Sequence, residues 1–522
     1  MGVEHELILK GMAELHGGNL DAAERTCAQL MAARPNDAEA LNLRALIAHQ
    51  RGQLADAVKL YQKAIALRPD AAGFHNNLGV SLTALDRASE AAESHRKAAS
   101  LNPNSAQIQY NLGMALQAQG RYAEALAALR TAAAQRPDHA ESHNGLGISL
   151  YMTGDLHGSI AAFERAVALR PDFASAWSNL AIELRDVNRL DEARAAYRRA
   201  IALQPDHPDA HKNLAILLLL TGDYADGFWQ YEWRWKCDGA QIRRFDRPRW
   251  AGQDPAGQTI LLYEEQGYGD VIQFARYARV LADRGARVIF GCRPELGRLM
   301  ACCAGVAQVL VPGQQMPAFD LHSPLLSLPL FCGTTTPEAV PAEVPYIRMS
   351  PEIAQPWRER VGFCAALRVG LCWAGNPQNR NDRYRSIPLE KFASLASVGE
   401  IEFHSLQVGP SAADRSRAPE LNLRDHGSEL KDFAETAGLI EQLDLVISVD
   451  TSIAHLAGAL GKPVWVLLPE APDWRWLLER SDSPWYPTAR LFRVQRDWDD
   501  VLARVTDELG QWVQKFRRPS PV

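Results

Sequence analysis

The chain has 522 residues, 47% of them hydrophobic and 23% charged, which suits a folded protein with apolar content for more than one core. Its net charge of −6 argues against a chain built to neutralise nucleic-acid phosphates, so no nucleic-acid partner is expected. Eight scattered cysteines form no CxxC pair and no zinc-finger spacing with histidine, so reduced thiols and no metal site are expected.

The chain starts MGVEHELILKGMAELHGGN, without the basic start and apolar core of a secretory signal. The longest aliphatic run, Ile216 to Leu220, is too short to span a bilayer. The expectation is a cytoplasmic protein with no membrane span. Prolines then recur at Pro35, Pro69, Pro103, Pro137, Pro171 and Pro205, every interval being 34 residues. Three more columns keep the phase. Gly18, Gly52, Asp86, Gly120, Gly154, Asn188 and Gly222 suit a tight turn between antiparallel helices, where φ is positive. Ala23, Ala57, Ala91, Ala125, Ser159, Ala193 and Gly227 are small, as close helix approach requires. Tyr61, His95, Leu129, Phe163, Tyr197 and Tyr231 are mostly aromatic or apolar. The period is that of tetratricopeptide repeats, so an α-solenoid is predicted over residues 1–235.

Asn77, Asn111, Asn179 and Asn213 share one phase on the first helix of successive repeats, with Asn144-Gly145 and Leu43 in the other two. In tetratricopeptide arrays first helices line the concave face, where asparagines can pair with the main chain of an extended peptide. The other reading is that they make hydrogen bonds between repeats. This column resembles the asparagine ladder of the O-GlcNAc transferase superhelix.

After Trp235 the phase is lost in a stretch rich in Arg, Trp, Gly and Pro, read as a linker (236–258) packed on both sides, with Trp229, Trp233, Trp235 and Trp250 as buried anchors. From Thr259 short apolar runs alternate with helical segments: TILLYEE, ARVIFGC, AQVLV, then after a Pro-rich break LRVGLCW, IEFHSLQ, DLVISVD, PVWVLLP and RLFRV. Strands alternating with helices predict doubly wound parallel sheets, and the break predicts two lobes with a cleft, 259–345 and 346–522.

Three motifs carry chemistry. In EEQGYGD, Gly267 and Gly269 let the chain turn and approach a ligand, and Asp270 is either a general base in the cleft or a helix N-cap. In DLVISVDTSIAHLAGAL, Asp450 ends a strand and Thr451 and Ser452 open a helix, with His455 on the same face. Two hydroxyls, a helix N-terminus and a histidine suit a diphosphate; the alternative is a capped helix with a packed histidine. In CWAGNPQNRNDRYRSIP, the polar residues Asn376, Gln378, Asn379, Arg380, Arg383 and Arg385 follow a strand and either face solvent or grip an anion.

From about Thr259 onward the chain resembles the ADP-heptose lipopolysaccharide heptosyltransferase family, a metal-independent inverting group with the GT-B fold. Asp450-Thr451-Ser452-x-x-His455 is similar to that family's D-T-G-x-x-H, with Ser452 in place of its glycine. Gly269-Asp270 matches the family's G-D, whose aspartate is the acceptor's base. Arg385 falls where the family has a lysine near the donor phosphate. Asp473-Trp474-Arg475-Trp476 and Trp485-Tyr486-Pro487 look like features of repeat-fused relatives, without an assigned role. The layout also resembles O-GlcNAc transferase. The resemblance implies a pair of Rossmann-like GT-B lobes, the first on the acceptor side and the second on the nucleotide-sugar side. It implies a metal-independent inverting glycosyltransferase with a nucleotide-diphosphate sugar as co-substrate and no further cofactor. Asp270 would be the base; Arg385, Asp450, Thr451, Ser452, His455, Asn376 and Gln378 would bind the donor. Asn77, Asn111, Asn179 and Asn213 would hold the acceptor or a peptide, a protein being the acceptor the repeats suggest. The exchanges at Ser452 and Arg385 keep a second reading open, an inert repeat scaffold carrying a relic sugar-nucleotide domain. A hydrolase using Ser452 and His455 lacks the G-x-S-x-G elbow.

Overall fold

The computed structural model describes residues 3–378 and 382–515. It divides into two compact units, one running to His207 and one starting at Pro208.

The first unit is six antiparallel helix pairs, from Val3–His16 with Leu20–Ala33 to Ala174–Asp186 with Leu190–Leu203. Every residue of the turn column in it has the left-handed conformation, including the non-glycines Asp86 (φ 58°) and Asn188 (φ 61°). The small column is fully buried from Ala23 to Ala193, and Tyr61, His95, Leu129, Phe163 and Tyr197 are buried beside it. His95, Leu129 and Phe163 of this column each face a glycine of the preceding helix. A Cβ on Gly113 would lie 2.5 Å from Leu129, and one on Gly147 would lie 2.7 Å from Phe163. The Leu-Gly pair of the repeat is thus a steric socket for the second helix.

The second unit opens with a seventh pair, Pro208–Leu220 and Tyr224–Tyr231. The sequence counts this pair with the repeats. Its apolar face, Leu219, Leu220, Tyr224 and Phe228, is in the same buried core as the α/β strands. Phe228 meets Trp474 edge-on at 5.8 Å, and Tyr224 lies 6.1 Å from Trp485. A 3-10 turn, Glu232–Lys236, then carries Arg234 into a buried cluster with Glu232 (2.8 Å), Glu265 (2.7 Å) and Ser327 (2.8 Å). Of the four tryptophans expected as anchors, Trp250 is fully buried and Trp233 and Trp235 are half-buried. Trp229 is 54% exposed: it sits on the outer face of the short helix Tyr224–Tyr231, whose inner face is taken by Tyr224 and Phe228.

Among the described residues ten strands form two sheets: β1 (Thr259–Tyr263), β2 (Arg287–Gly291), β3 (Val306–Leu310) and β4 (Leu321–Pro324), then β5 (Leu367–Cys372), β6 (Ile401–Ser405), β7 (Arg424–Asp425), β8 (Leu445–Val449), β9 (Val464–Leu468) and β10 (Ala489–Arg493). The orders are β3-β2-β1-β4 and β10-β9-β8-β5-β6-β7, with every ladder parallel. Both are doubly wound, and β8 and β9 are buried along their whole length, as a helix-covered parallel sheet requires. The two shortest strands, β4 and β7, carry no apolar run and were not expected. The helix expected after β1 is two, Tyr268–Phe274 and Tyr277–Asp283, and Pro351–Val361 adds one more. In the linker, Arg249 bridges to His322 of β4 and Trp250 N–H donates to the His322 carbonyl at 2.8 Å.

Candidate functional site

In a doubly wound sheet the strand order reverses between two neighbours, and the loops leaving their carboxyl ends part to leave a crevice. In the second sheet those neighbours are β5 and β8. The loop after β8 holds Asp450 and Thr451, and the helix Ser452–Ala459 starts there. Thr451 is its N-cap: Oγ1 accepts from Ile453 N–H at 3.3 Å and lies 3.0 Å from Ser448 Oγ and 3.6 Å from Cys372 Sγ at the end of β5. Its hydroxyl therefore caps the helix and ties the two strand ends together, while Ser452 in the first turn is half-buried.

The loop after β5 is held by Gln407, which follows β6. Its side chain accepts from Trp373 N–H (3.2 Å) and Ala374 N–H (3.0 Å) and donates to the Ala374 carbonyl (3.0 Å). Nothing in the sequence marks this glutamine, because its partners are main-chain groups from a distant loop. Arg385 closes over Gly375, where a Cβ would lie 2.8 Å from its Nη2, and its Nε donates to Asp382 at 3.2 Å. Asn376 and Gln378 are exposed, and Asn376 accepts from Gln378 N–H at 3.0 Å, a local turn. Arg383 is exposed on Tyr384. Asn379 and Arg380 lie outside the described residues.

In the first sheet the order reverses between β1 and β4, and the loop after β1 enters the helix Tyr268–Phe274. Gly267 has φ −70°, and Gly269 is not among the residues with positive φ, so neither serves a left-handed turn. Gly269 serves close approach: a Cβ there would lie 2.8 Å from His455 Cδ2 and 3.6 Å from Ser452 Cα. The helix bearing Asp270 thus packs directly on the helix bearing His455. Asp270 is not the N-cap of its helix: Gly267 holds that position, and Asp270 stands in the first turn. Its carboxylate accepts from Gly267 N–H at 2.8 Å, as a capping group does, and it also pairs with Arg475 of the other lobe. Arg475 is buried and donates further to Asp473 (2.8 Å) and Gln273 (2.7 Å). The unassigned D-W-R-W motif therefore reaches the base candidate. Arg276 adds a second tie, donating to the Trp485 carbonyl at 2.6 Å with its guanidinium 4.8 Å from the Tyr486 ring centre.

Burial raises Asp270 above the ordinary carboxylate range, opposed by Arg475 and reinforced by Asp473. Burial also raises Asp450 to about 6, with Asp473 adding to the effect and Arg385 opposing it. His455 is held neutral, well below the usual imidazole range, by burial and by Arg475, Arg276 and Arg385. Its Nδ1 lies 3.0 Å from Tyr486 Oη and its ring stacks on Trp476 at 5.3 Å. Asp270, Arg385, Asp450, Thr451, Ser452 and His455 are thus gathered at facing strand ends. Asn376 and Gln378 stand apart from them on their loop. Among the described residues no three His, Cys, Asp or Glu side chains are grouped to hold a metal ion, and no helix is long and apolar enough to cross a membrane.

In the repeat unit, Asn77 donates to Asn42 (3.2 Å), Asn111 to Asn76 (2.9 Å) and Asn179 to Asn144 (3.0 Å), each 35 residues back. These asparagines link neighbouring repeats while staying half-exposed, and Asn213 is half-exposed in the second unit. A further column was missed: His75, Gln109, His143 and Trp177 bind the carbonyls of Pro69, Pro103, Pro137 and Pro171 at 2.9 to 3.1 Å. The shared phase was visible; the shared N–H donor in three residue types hid it.

Tetratricopeptide repeat models match residues 45–86, 110–174 and 178–236. The glycosyltransferase family 9 (heptosyltransferase) model matches residues 430–487, a segment that holds Asp450, His455 and Arg475 but not Asp270 or Arg385. The chain is 26% identical over 324 residues to Protein FlbA of Caulobacter vibrioides, covering 56% of this chain and 53% of that protein. It therefore spans about half the length of this curated relative. Among solved structures, YrrB, described as a TPR protein with an unusual peptide-binding site, is 23% identical over 35% of this chain and 95% of its own, with a TM-score of 0.33. The pilF protein of Pseudomonas aeruginosa is 18% identical over 41% of this chain and 96% of its own, with a TM-score of 0.38. The chain joins tetratricopeptide repeats to a segment similar to glycosyltransferase family 9, and that match supports a glycosyltransferase.

Proposed function

We propose that the second unit transfers a sugar, with inversion and without a metal, from a nucleotide-diphosphate donor to an acceptor hydroxyl delivered by the repeats. The observation that carries the reading is the packing of the Asp270 helix on the Ser452–Ala459 helix, at the switch points of two doubly wound sheets. The first-turn N–H groups of that helix and the Arg385 guanidinium would hold the diphosphate. The acceptor oxygen would attack the anomeric carbon as the bond to the diphosphate oxygen breaks. Its proton would pass to Asp270, and the nucleoside diphosphate would leave with its charge held by the helix and Arg385. The half-exposed asparagines of the repeats are the acceptor-side candidates, for a peptide segment. A cytoplasmic location goes with a nucleotide-sugar donor.

The bonds already made inside the site favour a second reading, a relic domain on a repeat scaffold. Thr451 is spent as a cap, His455 is pinned by Tyr486 and Trp476, and Asp270 is paired with Arg475. A thermal-shift screen of the full chain against UDP-, GDP-, ADP- and CMP-sugars separates the two. A donor at a hundredfold excess over its Kd should stabilise by roughly 2.7 kcal/mol, and Arg385→Ala should abolish the shift. No shift from any donor would leave the scaffold reading.

A further inference from the structure

We propose that Arg475 is a positioning residue that orients the Asp270 carboxylate from the opposite lobe and favours its ionised form. The inference rests on the assignment of Asp270 as the base. Three observations carry it. Arg475 is buried, and each of its guanidinium nitrogens has a partner: Nη2 on Asp270, Nη1 on Asp473 and Nε on Gln273. Two of those partners, Asp270 and Gln273, lie one helical turn apart on the Tyr268–Phe274 helix, so the fork fixes that helix as well as the carboxylate. The third, Asp473, also accepts from Arg475 N–H at 3.0 Å, which sets the angle from which the guanidinium enters.

A buried carboxylate with no cation beside it is protonated at neutral pH and accepts no further proton. The charged and titratable groups around Asp270 are Arg475 and Asp473 from the D-W-R-W turn, Tyr231 from the last repeat helix, and His455 across Gly269. Tyr231 and His455 are neutral there, the first because burial raises it and the second because burial lowers it. Arg475 is the one group of the set that lowers Asp270, and Asp473 raises it. The two neighbours therefore act in opposite directions on one proton.

That opposition makes the test. Full-length wild type, Arg475→Gln, Arg475→Lys and Asp473→Asn are assayed for nucleotide release from UDP-, GDP-, ADP- and CMP-sugars from about pH 5 to about pH 9. The acid limb should move up by about one pH unit or more in Arg475→Gln, return most of the way in Arg475→Lys, and move down in Asp473→Asn. A loss of folding common to all three cannot produce opposite displacements. In parallel, the Asp270 carboxyl carbon is titrated by NMR in protein carrying carbon-13 at aspartate Cγ, with Asp270→Asn assigning the signal. The same ordering is expected. Ordered titration without turnover from any donor would keep the Arg475–Asp270 relationship and sink the transferase reading. Turnover with an unmoved acid limb, or with both variants displaced the same way, would overturn the role given to Arg475.

Discussion

Gly269 and His455 meet so closely that a single methyl group at position 269 would lie 2.8 Å from the imidazole Cδ2. The ring cannot step aside, because Tyr486 holds its Nδ1 at 3.0 Å and Trp476 stacks on its face. Gly269→Ala should therefore cost about 1 to 3 kcal/mol, the usual penalty of overpacking a filled interior. Urea unfolding followed by tryptophan fluorescence would read it, since Trp474, Trp476 and Trp485 all lie in the core that this helix pair enters. A variant as stable as wild type would mean that the two helices are free to separate.

Asp450 gives the protein a pH dependence whose sign can be stated. Burial, with Asp473 beside it, raises its folded-state pKa from 3.8 to about 6, against the pull of Arg385. The folded protein thus keeps a proton that the unfolded chain has released. This stability is present in full below the unfolded value and is lost as pH rises through the folded one. Asp450→Asn removes the titration. The melting temperature of the variant minus that of wild type should grow between about pH 4 and about pH 6 and then level, corresponding to about 3 kcal/mol. A flat difference would show that Asp450 does not titrate in that range.

The repeats were legible because each column is one physical demand repeated many times, and the turn column settles the point. Gly120 and Asn188 occupy equivalent turns with φ 72° and 61°, but only glycine is free of strain there. Asn188→Gly should stabilise by a few tenths to about 1 kcal/mol, and Gly120→Ala should destabilise by about 1 kcal/mol. Differential scanning calorimetry of the full chain would show the two changes with opposite signs. Equal signs would mean that repeat context, not backbone conformation, sets the cost.

The site was less legible, for a reason visible in three residues. Asp450, Thr451 and His455 announce themselves as a motif, because a strand end followed by a capped helix is local in sequence. What each one touches is not local. His455 is fixed by Tyr486 and by Trp476, Asp270 by Arg475, and the β5 loop by Gln407, partners 21 to 205 residues away. Periodicity reads which face of an element is buried; it does not read which buried polar group from a distant loop satisfies it. The D-W-R-W motif stands out in the sequence but takes no role there on that account. The seventh repeat keeps phase with the solenoid columns, and only the apolar surface of Leu219, Tyr224 and Phe228 shows that its core is shared with the strands.

The asparagine column admits two readings, and Asn144 with Asn179 can weigh them. Asn179 Nδ2 donates to Asn144 Oδ1 at 3.0 Å across neighbouring repeats, and both residues are half-exposed. A side chain kept for recognition alone would contribute little to folding, since water satisfies an exposed amide equally well. One kept for the inter-repeat bond should show coupling, because removing either partner already forfeits the bond. In a double-mutant cycle of Asn144→Ala and Asn179→Ala, the single changes should each cost about 1 kcal/mol, and the pair should fall short of their sum by about 0.5 to 1 kcal/mol. Additive costs would show that the two amides do not depend on each other and are free to bind a peptide main chain. Full coupling would assign the column first to holding the repeats in register, with only the remaining donor and acceptor capacity of each amide left for an acceptor.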